Sequence, residues 1–404
     1  MPTATKLLEK TVTNYAGHCL IVPYIAGGAL KVLSFCIKKD ATETDEIFVA
    51  DFTNKNIKQL TASQPHSDYL GHVVKPWKII ETKNKIIIYC TAPRSGYLVV
   101  LKVVFDKYDE TVTISEYKSI ALSWLDSLYG HRSSIIIGDI NYIGDYNNPI
   151  LHAVNLVTGT DVSVDLSEYL TYVPFTSWKV VNIISDTTSR QLMILGEHYA
   201  GNPFYVFDMN RLEIITTLPS TGGGSPRPLI GGLAVFGDKR ILPITSASVD
   251  DVDNDMDFYD EHLNKLGTFD LAQIIEYPQL YYGFNLIAKL TDGKYFGIGS
   301  FNKETAKENV YCRFCWVLLN SDFSYYSHEV ILETALGEYA LWGLNLARDY
   351  GNQTSIPIID LNNYKIYVWL QKEDTAGNIT HYLYEVDFSD LSVDEINSVA
   401  YLIE

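Results

Sequence analysis

Side chains with oxygen ligands recur a few residues after a large aromatic residue in this chain. Three of them are Glu81, Asp126 and Asn182. Carboxylate and amide oxygens are the ligands that Ca²⁺ and Mg²⁺ prefer. If these oxygens converge, the spacing predicts one divalent-ion site. Because side chains on a strand alternate between two faces, hydrogen bonding to neighbouring loops is the alternative interpretation.

The densest acidic run, residues 250–257, is a second candidate cation site. Within it, Asp251, Asp253 and Asp255 have the spacing with which an EF-hand loop begins. Met256 stands where that loop requires glycine, and His262 stands where it requires a bidentate glutamate. The run therefore predicts either a looser Ca²⁺ site or a solvated loop.

The aromatic residues themselves predict a binding rim. They are Trp77, Trp124, Trp178, Tyr282 and Trp342. Trp and Tyr dominate the energetics of many interfaces, so such a rim would suit a protein or glycan partner. Arg227 lies within the Gly-rich loop 221–228, which we expect at the same mouth. The alternative is that each ring wedges between repeat units as a packing residue.

Cys312 and Cys315 match a Cys-x-x-Cys pattern but predict no metal or redox site. The surrounding residues 309–319 have the pattern of a strand. Residues three apart on a strand face opposite sides, so the two sulfur atoms should diverge.

These candidate residues belong to a degenerate repeat unit of about 50 residues. Two copies are nearly superimposable, Tyr-Gly-Phe-Asn-Leu-Ile-Ala-Lys at 282–289 and Trp-Gly-Leu-Asn-Leu-Ala-Arg at 342–348. Each unit contains up to four short apolar runs separated by tight turns. The approximate units are 14–63, 77–120, 124–170, 178–220, 231–272, 282–333 and 342–404.

This pattern resembles the seven-bladed β-propeller superfamily. The resemblance implies one all-β domain over residues 1–404, built from four-stranded antiparallel blades, with six or eight blades as alternatives. Each large aromatic residue would then begin the inner strand of its blade. We further expect residues 10–13 to add a strand to the last blade.

Charge and composition narrow the range of partners. The chain of 404 residues has 49 acidic and 31 basic residues and a formal net charge of -18. This balance disfavours nucleic acid and anionic membranes, and it suits a basic partner or a cation. The composition, with 29 Tyr, resembles that of some archaeal virus proteins.

The location expected from sequence is the cytoplasm, or a virion if the protein is viral. The first residues lack a signal-peptide pattern, and the apolar stretches are of strand length rather than long enough to insert in a membrane. Five Cys is an odd number, which does not indicate a disulfide framework.

Three functions remain open from sequence. The leading hypothesis is a non-enzymatic interaction scaffold that binds a protein or a glycan at the channel mouth. A metal-dependent hydrolase, similar to propeller lactonases or phosphotriesterases with an axial divalent ion, is the second. A structural oligomer subunit is the third.

Overall fold

The computed structural model is built almost entirely from β-strands. The residues that it describes are 1–13, 16–37, 46–60, 62–63, 75–94, 96–125, 134–145, 148–169, 179–185, 191–196, 204–218, 227–230, 232–247, 255–275, 278–279, 284–303, 311–336, 338–342, 357–376 and 378–403. Within these ranges the regular helical structure is a single 3-10 turn, Leu271–Gln273.

The described strands pair into seven sheets, each with four antiparallel strands in a row, and in sheets 1 to 6 these four follow one another in the chain. The first strand in the chain is β1 (Thr3–Thr13), which belongs to the last sheet. Sheet 1 contains β2 (Ala16–Ala26), β3 (Ala29–Ile37), β4 (Glu46–Asp51) and β5 (Asn56–Leu60). Sheet 2 contains β6 (Ala62–Ser63), β7 (Lys75–Glu81), β8 (Lys85–Arg94), β9 (Tyr97–Asp106) and β10 (Thr111–Ala121). Sheet 3 contains β11 (Ser134–Ile137), β12 (Ile140–Gly144), β13 (Ile150–Asn155) and β14 (Asp161–Asp165).

Sheets 4 to 7 follow in chain order. Sheet 4 contains β15 (Lys179–Ser185), β16 (Gln191–Gly196), β17 (Phe204–Asp208) and β18 (Glu213–Leu218). Sheet 5 contains β19 (Arg227–Ile230), β20 (Ala234–Phe236), β21 (Lys239–Ala247), β22 (Asp255–Tyr259) and β23 (Lys265–Asp270). Sheet 6 contains β24 (Pro278–Gln279), β25 (Phe284–Leu290), β26 (Tyr295–Lys303), β27 (Tyr311–Leu319) and β28 (Tyr325–Glu333). Sheet 7 contains β29 (Tyr339–Trp342), β30 (Ile358–Asp360), β31 (Lys365–Glu373) and β32 (Asn378–Asp387).

The hydrophobic core is divided into clusters that lie between consecutive sheets. Leu101 of sheet 2 packs with Phe35 of sheet 1, for example, while Val100 on the opposite face of the same strand packs with Val154 of sheet 3. Equivalent clusters join each later sheet to the next one. A final cluster joins sheet 7 to sheet 1, so the sheets form the closed arrangement of a β-propeller.

The N-terminal strand completes the last sheet. Strand β1 pairs antiparallel with β32, from Thr3 opposite Asp387 to Thr13 opposite Asn378. The prediction that residues 10–13 add a strand to the last blade is confirmed, and the pairing is longer than predicted. Both the first and last strands therefore lie in one sheet, which closes the propeller.

The C-terminal segment lies against the first strands of three sheets. Strand β33 (Val393–Ile396) pairs with β25, and β34 (Tyr401–Ile403) pairs in parallel with β30. Between them, the buried Asn397 side chain accepts a hydrogen bond from Val235 N and donates one to Leu286 O. First strands line the axis of a propeller, so this segment occupies part of the central channel.

One turn geometry recurs between the third and fourth strands of sheets 1 to 4. In each, an Asp or Asn side chain accepts hydrogen bonds from backbone N–H groups two or three residues later, and the fourth residue after it has a positive φ. The capping residues are Asp51, Asp106, Asn155 and Asp208. This repeated Asx turn connects the strands without leaving the turn N–H groups unpaired.

The structure corrects the predicted position of Trp124. Its repeat position predicts the start of an inner strand, but Trp124 lies in the turn after β10, and the first strand of sheet 3 begins at Ser134. The reason is local: Leu125 N donates to Leu122 O, and Gly96 N donates to Leu125 O, so residues 122–125 form a turn against sheet 2.

The second strand of sheet 7 is β31. The sequence left residues 356–359 and 365–369 as alternatives for this strand. Residues 358–360 form β30, which pairs with β31 as part of the first strand, and β31 is the second.

No helix in the described part of the chain is long and apolar enough to span a membrane.

Candidate functional site

Trp77 lies at the junction of sheets 2 and 3. It sits at a β-bulge in β7, where the pairing register with β8 shifts, and its ring packs against the hydrophobic cluster between the two sheets. The bulge increases local twist and turns the side chain out of the regular alternation. Trp77 therefore combines a buried packing face with a partly exposed edge.

Two tyrosines extend the aromatic row across sheet 2. The Trp77 and Tyr89 ring centroids lie 6.2 Å apart, and those of Tyr89 and Tyr117 lie 4.9 Å apart, both in edge-to-face geometry. Tyr117 stands at a second bulge, in β10, and is 57% exposed. Edge-to-face contacts of this kind stabilise the relative positions of the three rings.

Charged and aliphatic groups border this row. The Lys78 ammonium lies 4.4 Å from the Trp77 ring centroid and 2.8 Å from Asp139 Oδ1, which also accepts a hydrogen bond from Trp77 Nε1. The hydrogen bond from Lys78, with a smaller contribution from that of Trp77, lowers the pKa of Asp139. Ile80, two residues beyond Lys78 on the same strand, is exposed. We call the group Trp77, Lys78, Ile80, Tyr89 and Tyr117 the aromatic surface.

Trp124, His152 and Asp161 form a separate cluster at the same sheet junction. The Trp124 ring stacks on His152, with centroids 3.6 Å apart and planes at 12°, and its Nε1 donates to Asp161 Oδ2 at 2.8 Å. His152 Nδ1 lies 2.9 Å from the same carboxylate oxygen. The carboxylate thus orients both rings. In this position Trp124 holds sheet 3 against the turn that follows sheet 2.

Glu81 is engaged in an ion pair. Its Oε1 contacts the ammonium of Lys107, which is buried and also donates to Thr82 O at 2.9 Å. A cation at Glu81 would have to compete with this ammonium for the carboxylate.

Several predicted site residues lie outside the described residues. They are Asp126, Trp178, Asp251, Asp253 and Tyr282. Asn182, Arg227 and Trp342 lie in strands β15, β19 and β29, but their side chains are not described. Asp255 is the first residue of β22, opposite Asp270, and is partly buried. Convergence of the predicted metal ligands stays a prediction.

Among the described residues, no three His, Cys, Asp or Glu side chains are grouped as a metal site would require. Cys312 and Cys315 are both buried in β27, in the clusters on opposite sides of sheet 6. Their divergence on the strand is confirmed.

Sequence reasoning missed Tyr89, Tyr117, Asp139, His152 and Asp161. Tyr89 follows three isoleucines and has the appearance of an ordinary strand residue. Tyr117 is more informative, because a large aromatic residue stands in an otherwise polar outer strand, Ser-Glu-Tyr-Lys-Ser at 115–119. An exposed aromatic of this kind indicates either an interface or a bulge.

No protein-family model and no curated protein matches this chain. Among solved structures, a polysaccharide lyase of family PL25, an ulvan lyase bound to -[GlcA(1-4)Rha3S]-, is similar over 93% of this chain and 96% of its own, with TM-score 0.50 and 8% identity. The WD40 domain of SCAP from fission yeast matches over 96% and 98%, with TM-score 0.44 and 9% identity. The β-propeller domain of Myceliophteria thermophila Cps50 (Swd1) matches over 92% and 98%, with TM-score 0.41 and 10% identity.

The fold is a β-propeller. At identities this low, the likeness extends to the fold and not to a site or an activity.

Proposed function

We propose that this propeller is an interaction scaffold that binds a partner protein through the aromatic surface. The observation that carries the proposal is the row Trp77–Tyr89–Tyr117, in which rigidly held rings are left partly exposed on one sheet. Trp and Tyr are enriched at the centres of protein interfaces because they bury a large area at little conformational cost.

Charge further defines the partner. With a net charge of -18, the protein attracts partners with basic segments over long range. The Ile80 side chain and the ring edges would take apolar side chains of the partner. We therefore expect a protein with a basic segment next to an apolar one, and binding that weakens as the salt concentration rises.

The test compares two tyrosines of the same sheet. Tyr117→Ala removes the most exposed ring of the aromatic surface, whereas Tyr108→Ala removes a ring that is 87% exposed in a turn and outside that surface. The wild type and both variants would be immobilised and exposed to a cell lysate. We would purify the proteins that the wild type and Tyr108→Ala retain but Tyr117→Ala does not. Their Kd values would then be measured for all three proteins.

We expect Tyr117→Ala to weaken binding about tenfold or more, the usual effect at an interface hot spot. Equal retention by all three proteins would overturn the proposal. If no protein is retained, but the wild type binds a glycan array and Tyr117→Ala does not, the partner is a glycan rather than a protein.

Two finer points belong to the same proposal. Each of the seven sheets would be one blade, supported by the clusters that join every consecutive pair. The Tyr-rich composition supports a virus-encoded protein, which would then act in a virion or in the host cytoplasm.

A further inference from the structure

A cavity of about 370 Å³ lies between the turns of sheets 5 and 6. Its walls come from the start of β21, the turn between β22 and β23, the start of β26, and the turn between β27 and β28. Cavities of this volume lie within the range that binds small molecules. It is distant in the chain from every residue of the aromatic surface.

Two cationic side chains line the cavity without a carboxylate partner. Neither Lys239 nor Arg240 forms an ion pair with any described carboxylate, and Arg240 Nη1 donates to the backbone oxygen of Asp238 at 3.3 Å. Both side chains are therefore available to a ligand carboxylate. Arg presents a planar fork of donors that suits this group.

One carboxylate on the cavity wall is also available. Glu261 Oε2 accepts a hydrogen bond at 3.4 Å from Arg240 N, and its Oε1 lies 4.0 Å from His262 Nε2, so both contacts are long. Neighbouring Asp260, by contrast, accepts bonds from His262 N, Asn264 N and Asn264 Nδ2, all at 2.8 to 2.9 Å. Glu261 is thus the anionic group that can receive a ligand ammonium.

The floor of the cavity is a fixed aromatic stack. Tyr295 and Phe323 are stacked with centroids 4.6 Å apart, and Phe323 stacks in turn on Phe258 at 4.4 Å. Leu266, which is 39% exposed, adds an aliphatic wall. This floor offers a rigid apolar contact to a ligand side chain.

We propose that this cavity binds a free α-amino acid with an apolar or aromatic side chain. Such a ligand carries a carboxylate for Arg240 and Lys239, an ammonium for Glu261, and a side chain for the floor at Tyr295, Phe323 and Leu266. A ligand that carries only one of these two charges would leave the other charged group of the cavity desolvated and unpaired, which is unfavourable. A peptide separates its α-ammonium and its α-carboxylate onto its two terminal residues, so the free amino acid fits best.

The proposal is tested by calorimetry with four probes. Phenylalanine is the zwitterion, 3-phenylpropionate has the carboxylate alone, 2-phenylethylamine has the ammonium alone, and glycine lacks the side chain. We expect phenylalanine to bind about tenfold or more tighter than each of the other three, since a charged hydrogen bond that is lost leaves its partner unpaired.

Two variants assign the site. Arg240→Gln and Glu261→Gln should each weaken phenylalanine binding about tenfold or more. Arg211→Gln and Glu213→Gln remove a similar pair of charges from an exposed turn of sheet 4 and should leave binding unchanged. If Arg240→Gln lowers the melting temperature, Lys239→Gln replaces it as the test of carboxylate binding, because the Lys239 side chain is exposed.

Equal affinity for phenylalanine and either singly charged analogue would overturn the proposal. So would the absence of binding at millimolar phenylalanine, or an unchanged affinity in the two cavity variants.

Discussion

At the scale of single residues, His381 shows how burial sets a protonation state. It is fully buried between sheets 7 and 1, and Trp369 Nε1 donates to its Nδ1 at 2.9 Å. Burial, with a smaller contribution from the positive charge of Lys10, lowers the pKa of His381 to about 4. The folded protein therefore holds this imidazole neutral at pH 7.

This shift predicts a pH-dependent loss of stability. Below pH 6.5 the unfolded chain takes up a proton at this position, whereas the folded protein does so only near pH 4. Stability should thus fall on acidification through this window, by about 3 kcal/mol for His381.

The His381→Gln variant isolates this contribution. Gln retains an acceptor for Trp369 but does not titrate, so the variant should lose about 3 kcal/mol less than the wild type between pH 7 and pH 4. Urea unfolding at both pH values measures the difference. Parallel pH dependence of the two proteins would show that His381 has the same pKa in the folded protein as in the unfolded chain.

The aromatic surface shows how far single residues can be predicted from sequence. The recurrence of aromatic residues with the repeat predicts Trp77 as a site residue. Its contact with Tyr89 depends on strand pairing, and the contact between Tyr89 and Tyr117 depends on a bulge in β10. Neither the pairing register nor a bulge is encoded in the spacing of residues along one strand.

At the scale of elements, Gly267 allows the outer strand of sheet 5 to approach sheet 6. A Cβ atom at this position would lie 1.8 Å from the backbone oxygen of Asp322 and 3.2 Å from Phe323 Cβ. The obstacle is backbone, so it cannot move aside as a flexible side chain would. Strand β23 and the turn at Asp322 can pack this closely only with glycine.

Gly267→Ala should therefore destabilise the protein by about 2 kcal/mol or more, the usual cost of overpacking. Urea unfolding at neutral pH measures the effect. Ser321→Ala, at the exposed tip of the same turn, is the control and should stay within about 0.5 kcal/mol of the wild type. A Gly267→Ala protein as stable as that control would mean that the two sheets separate without cost.

Most strands could be predicted from the sequence, because their apolar runs and turns are local signals. The split of the first strands of sheets 5, 6 and 7 into two segments that pair with one partner could not be predicted, because it depends on pairing between strands. The Asx turns at Asp51, Asp106, Asn155 and Asp208 were visible as a recurring polar residue before each fourth strand. That recurring residue marks the turns more directly than the aromatic residues do.

At the scale of the whole molecule, closure depends on strand β1. It covers the edge of β32 over its full length, and Leu7 and Leu8 pack on the core between sheets 7 and 1. Without it, β32 would be an open edge with unpaired N–H and C=O groups.

Deleting residues 1–13 should lower the melting temperature by about 10 °C or more and produce concentration-dependent oligomers. Scanning calorimetry and size-exclusion chromatography measure the two effects. A synthetic peptide of residues 1–13 should restore the melting temperature by strand addition, and a scrambled peptide should not. As a control, alanine at both Lys6 and Glu9, an exposed ion pair, should change stability by less than about 1 kcal/mol. A truncated protein that stays monomeric with an unchanged melting temperature would show that β1 is dispensable.

The pairing of β1 with β32 also sets the order of events during synthesis. Ribosomes add about 5–20 residues per second, so β1 leaves the exit tunnel tens of seconds before β32 exists. Throughout that time this strand has no native partner, although sheets 1 to 6 can already form behind it. The charges of Lys6, Glu9 and Lys10 oppose pairing with other nascent chains in the interval. This pairing can therefore form only after sheets 1 to 6 have been synthesised, and a chaperone that shields β1 until then would favour it.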